Sequence, residues 1–175
     1  MNPLTIGRIE AILNYADKIR IVSNIHDRPM DAEKFVQVFS GSVIKTQEND
    51  NVIKHSRIIP GEGVKFSIEY SPHKDDRSNR FTVMHMMGHL LLHTNYVADN
   101  FILKNEYVDN HWNDNDADLF ASAVLMPREQ FFYIASKNII GSKYNIAAIA
   151  SCFGVLEKRA RDYGRRLSSY RWNEE

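Results

Sequence analysis

Two histidines, His85 and His89, stand four positions apart in the apolar segment Arg80-Phe81-Thr82-Val83-Met84-His85-Met86-Met87-Gly88-His89-Leu90-Leu91-Leu92-His93-Thr94. On an α-helix that spacing turns the second side chain only about 40° from the first, so both imidazoles can reach one metal ion. A catalytic zinc needs a third protein ligand and an open position besides. Plain core packing produces the same spacing, and the pair alone does not decide between the two. His93 lies eight positions beyond His85, about 80° round the helix and too far for easy shared ligation, and it reads as a structural histidine.

In zinc peptidases the corresponding helix reads His-Glu-x-x-His, and the glutamate takes the proton from the attacking water. Met86 fills that position here. A thioether does not accept a proton from water at neutral pH, so the ligand pair is present and the general base is missing.

Candidate carboxylates follow in His111-Trp112-Asn113-Asp114-Asn115-Asp116-Ala117-Asp118-Leu119-Phe120-Ala121-Ser122-Ala123-Val124-Leu125-Met126-Pro127. Asp114 and Asp118 are one helical turn apart, a spacing that can give one carboxylate to a metal and a second to orient a metal-bound histidine through its other ring nitrogen. An acid-rich helix start arises equally from capping and from the helix dipole.

Together the two segments resemble the ImmA/IrrE family of zinc metallo-endopeptidases, which are gluzincin-like. The resemblance runs through Arg80-Phe81-Thr82-Val83-Met84-His85 and Gly88-His89-Leu90-Leu91-Leu92-His93, then through Asp118-Leu119-Phe120-Ala121-Ser122-Ala123-Val124-Leu125-Met126-Pro127. It implies that His85 and His89 are metal ligands and that Asp114 takes the place of the family's third ligand, a glutamate. Asp118 then matches the carboxylate that orients a ligand, and Asp116 is kept as an alternative ligand. Zn²⁺ is the implied cofactor. The chain departs from the family pattern at Met86 and at Asp114, where the side chain is one methylene short and the helix must sit closer to the metal or a water must bridge.

The resemblance further implies a protein partner, a helix-turn-helix repressor or an antitoxin-type protein, as in prophage and toxin-antitoxin systems. With Met86 at the base position, peptidase activity would need a substitute such as Asp116 or Asp118, and a pseudopeptidase that binds without cutting is the alternative. A third reading takes 145–167, with Arg159, Arg161 and Arg165, as a helix-turn-helix DNA reader; a packed helical pair with a solvated basic face is the expectation instead.

These residues need elements to hold them. Apolar Ile9, Ile12, Leu13, Ala16 and Ile19 predict an amphipathic helix over 4–22, and a second after Asp31 uses Phe35, Val36, Val38 and Phe39. Val43-Ile44 opens a strand, 51–59 is a weaker strand, and 64–70 alternates with Val64, Phe66, Ile68 and Tyr70 on one face. Helices are predicted over 80–94 with Ser78 or Asn79 as cap, 113–126 stopped by Pro127, 129–136, 145–152 and 156–169. The expected fold is α+β: a single zincin-like metallopeptidase domain over 1–175, its small, partly antiparallel sheet packed on the histidine helix. The motif region is 80–127, and the closing helices occupy 128–170.

Composition narrows the class. The 175 residues are 43% hydrophobic, with 22 basic and 22 acidic side chains. That suits one globular domain and gives no global reason to bind nucleic acid or an anionic membrane. The single Cys152 excludes an intramolecular disulfide and multi-cysteine zinc modules, and it reads as a core residue in a cytoplasmic protein with neither leader nor anchor.

Overall fold

Thr5 starts the first helix by accepting a hydrogen bond from the Arg8 amide on its hydroxyl, and α1 runs Ile6–Ser23. Asp31 does the same for the short α2 (Ala32–Val38), accepting from the Lys34 amide. The computed structural model describes residues 4–46, 56–61, 63–71, 75–94 and 113–167. Three strands follow: β1 (Gly41–Lys45), β2 (Arg57–Ile59) and β3 (Phe66–Tyr70). Most of the expected weaker strand over 51–59 lies outside the described residues.

β3 is central, parallel to β1 and antiparallel to β2. Phe66, Ile68 and Tyr70 are buried, as their alternation predicts. Ser67 is buried as well, because its hydroxyl shares a 2.7 Å hydrogen bond with that of Ser42 on β1.

The histidine helix, α3 (Asp76–His93), starts earlier than its apolar residues suggest. Asp75, not Ser78 or Asn79, is the cap; its carboxylate accepts from the Arg77 amide at 2.9 Å, so a polar first turn precedes the buried part. Then come α4 (Asp114–Leu125), α5 (Arg128–Lys137), α6 (Ile146–Phe153) and α7 (Glu157–Leu167). Between α5 and α6 lies a two-stranded hairpin absent from the sequence expectation, β4 (Ile139–Ile140) with β5 (Lys143–Tyr144), turning on Gly141 at φ +63°. The architecture is α+β with a small mixed sheet. One buried cluster extends from Ile12 on α1 to Tyr163 on α7.

Cys152 is corrected by the structure: it is exposed. Ile149, Ala150 and Phe153 occupy the buried face of α6, and position 152 lies roughly 110° round the helix from its centre.

The pairing that matters for the site is α3 on α4. A Cβ at Gly88 would stand 3.0 Å from the Ala117 Cα and 3.1 Å from its carbonyl oxygen. The absent side chain therefore lets two helix backbones approach closely, which brings the carboxylates of α4 up to the imidazoles of α3. Replacing Gly88 with valine is expected to destabilise the fold by about 1 to 3 kcal/mol through overpacking, measured by chemical denaturation; unchanged stability would mean that α4 moves aside without strain.

Candidate metal centre

Three donor atoms converge between α3 and α4. The Nε2 atoms of His85 and His89 are 3.0 Å apart, and Asp114 Oδ1 lies 3.8 Å from the first and 3.2 Å from the second. Among the described residues this is the one group of three that can hold a metal ion. Ligands about 2.0 to 2.2 Å from a tetrahedral zinc stand roughly 3.3 to 3.5 Å from one another, and the three observed separations bracket that value. Three electron-rich atoms this close repel each other, and a cation bound to all three turns the repulsion into attraction. The donor set therefore fits zinc.

Each ring is held from behind. His85 Nδ1–H donates to Asp118 Oδ1 at 2.8 Å, and Asp118 Oδ2 accepts from Arg159 at 2.6 Å. With its proton on Nδ1, His85 keeps a lone pair on Nε2, toward the cluster. Burial works to raise the Asp118 pKa, but the hydrogen bond from His85 and the Arg159 charge hold it below the usual carboxylate range. His89 is buried, and its pKa is pushed down to about 4 by that burial and by the neighbouring His85 and His93. It is accordingly a neutral imidazole near pH 7.

The first residues of the motif helix seat Arg159. Its guanidinium lies over the Phe81 ring, 3.7 Å from the centroid. Arg80 donates to the Gly154 carbonyl at the turn between α6 and α7, where Gly154 takes φ +60°. Arg80 and Phe81 thus anchor the closing helix pair so that Arg159 reaches Asp118.

The expected site residues are distributed as follows. His85, His89 and Asp114 are together, and Asp118 is behind His85. The close approach at Gly88 makes up for the short Asp114 side chain, 71% of which is exposed. Asp116 is not in the cluster. It points about 200° round α4 from Asp114 and is buried against Arg8, with His93 nearby. Met86 is 5% exposed and joins the hydrophobic core cluster. His93 stays out of the donor set, as its angle predicts, but its Nδ1 lies 3.0 Å from His89 Nδ1.

Two arginines were not legible as site residues. Arg159 read as part of a basic helix face, and Arg8 carried no signal, since nothing local in sequence links either to an acid on α4. Changing Arg159 to methionine keeps the contact with Phe81 and removes the grip on Asp118. A ten- to hundredfold loss of zinc affinity is expected, read by competition with a coloured chelator; an unchanged value would mean that Asp118 is held adequately by His85 alone.

A family model described as the IrrE N-terminal-like domain, Peptidase_M78, matches residues 42–161. No curated protein matches the chain.

Proposed function

The chain belongs to the IrrE N-terminal-like (Peptidase_M78) family, and from that premise we propose that it is a zinc-binding protein of metallopeptidase fold that grips a protein partner without hydrolysing it. His85, His89 and Asp114 hold the metal in this reading. Zinc, when bound, supplies a Lewis acid that polarises a carbonyl oxygen. Every other requirement of hydrolysis falls on the chain's own residues, and the proton acceptor is the one that is missing.

The observation that carries this reading is Met86, buried in the core at the position where the peptidase motif places its base. The two carboxylates that offer a substitute are already engaged. Asp118 accepts from His85 and Arg159, and Asp116 accepts from Arg8 on the far side of α4. Asp114 is close enough to serve, but as a proton acceptor it would leave the metal with two imidazoles alone. None of these three carboxylates of α4 is left to play the glutamate's part.

By resemblance to the family, the partner is a helix-turn-helix repressor or an antitoxin-type protein, met in the cytoplasm; a lone cysteine suits that compartment. No helix among the described residues is long and apolar enough to cross a membrane. The DNA-reading alternative loses one of its three arginines to the site, because Arg159 is bound to Asp118.

The test is elemental analysis of protein purified without chelator or nickel resin. About one zinc per chain supports the metal centre, and protein that takes up no divalent metal even when it is supplied overturns it.

A further inference from the structure

His85 and His89 are backed by different chains of contacts. The second runs through His93 and Asp116 to a helix that lies outside the family-matched residues. Arg8 on α1 donates from Nε to Asp116 Oδ2 at 2.9 Å, and its Nη2 donates to the same oxygen. That oxygen lies 3.5 Å from His93 Nε2, and His93 Nδ1 lies 3.0 Å from His89 Nδ1. Asp116, His93 and His89 are all buried.

The direction of each proton follows from Arg8. A guanidinium only donates, so Asp116 accepts on that side as a carboxylate. Among the described residues His93 Nε2 makes no hydrogen bond, but the negative charge of Asp116 3.5 Å away favours the His93 proton on that nitrogen and leaves Nδ1 as an acceptor. His89 must then carry its proton on Nδ1 to donate to His93, and its Nε2 presents a lone pair toward His85 and Asp114. One always-charged side chain thereby orders the tautomers of two histidines in series.

We propose that Arg8 is a positioning residue for His89, acting through Asp116 and His93 to fix the ring nitrogen and orientation that His89 offers to a divalent cation. The inference rests on the reading of His85, His89 and Asp114 as a metal centre. It makes the first helix a working part of that centre, since removing the donor on α1 frees Asp116 and His93 to rearrange.

The test measures zinc affinity of the 175-residue chain by competition with a coloured chelator, with cobalt in place of zinc for a visible spectrum. Arg8→Met is expected to weaken zinc binding about ten- to hundredfold and to shift the cobalt absorption bands, with Arg8→Lys in between because it keeps the charge but not the paired donors. The decisive background is His93→Gln, whose side-chain carbonyl accepts from His89 Nδ1 without reference to Asp116. There, Arg8→Met is expected to change affinity by no more than about threefold, as the coupling of a two-variant cycle requires.

An equal loss in both backgrounds would show that Arg8 matters only for packing α1, and wild-type affinity in Arg8→Met would show that the chain of contacts is idle. If Arg8→Met does not fold by circular dichroism, Arg8→Lys read in the two backgrounds decides by the same comparison. Wild-type protein that takes up no zinc overturns the metal reading and this one with it. Zinc binding lost in His85→Ala but retained in Arg8→Met overturns this one alone.

Discussion

Met86→Glu, loaded with zinc, is expected to cleave an unfolded protein such as β-casein about 10² to 10⁴ times faster than the wild type, the range a positioned general base contributes. Methionine and glutamate are similar in length, so the new carboxylate fits the space without repacking, and His85 and His89 are unaltered. New amino termini, counted by mass spectrometry with and without chelator, report the gain. Met86→Gln is the matched control: the shape is the same and there is no basic oxygen. The exchange has a second signature in stability. Met86 is buried, so a carboxylate placed there costs more than the roughly 1 to 3 kcal/mol of a neutral unsatisfied group in the metal-free protein. A bound dication beside it offsets that loss. Zinc should therefore raise the melting temperature of Met86→Glu by more than it raises that of the wild type. Zinc-loaded Met86→Glu that cuts nothing would mean that the cleft has lost more than its base, and that the fold serves binding alone.

Ligand removal is the other large effect. Asp114→Ala and His85→Ala should each lower zinc affinity by more than the roughly ten- to hundredfold that follows from disturbing a ligand's backing residue. Asp114→Ala is the cleaner variant, because its side chain is 71% exposed and its loss leaves the core intact. His85→Ala also deprives Asp118 of a donor, so Arg159 alone holds that carboxylate. Both variants should keep the wild-type circular dichroism spectrum and lose zinc on dialysis. If Asp114→Ala retains its metal, the third ligand is another residue and the place of Asp114 in the triad is wrong.

The parts of this site that were legible in the sequence share one physical origin. His85 with His89, and Asp114 with Asp118, are related by one turn of a helix, and a helix converts sequence spacing directly into angle. The same rule correctly kept His93 out of the donor set. Applied to α4 it also explains why Asp116, kept as an alternative ligand, is not in the cluster: two positions from Asp114 it faces Arg8 on the other side of the helix. What could not be read were contacts between elements with no fixed angular relation. Arg8 meets Asp116, and Arg159 meets Asp118, because α1 and α7 pack against α4 in three dimensions. The hairpin at Ile139–Ile140 and Lys143–Tyr144 escaped notice for a different reason: two-residue strands carry no periodicity to detect. Cys152 was misplaced because an apolar stretch of eight residues leaves the inward face ambiguous until its neighbours are known.

The two arginines behind the histidines come from opposite ends of the described chain, Arg8 on the first helix and Arg159 on the last. A ribosome releases those ends at very different times. While residues beyond α4 are still being made, His85 and Asp118 can meet, but the guanidinium that steadies Asp118 does not yet exist. The backing of His85 is thus completed only once α7 has been made. A chain that has reached only the end of α4 already carries Arg8 for Asp116, and what it lacks is the support on the His85 side.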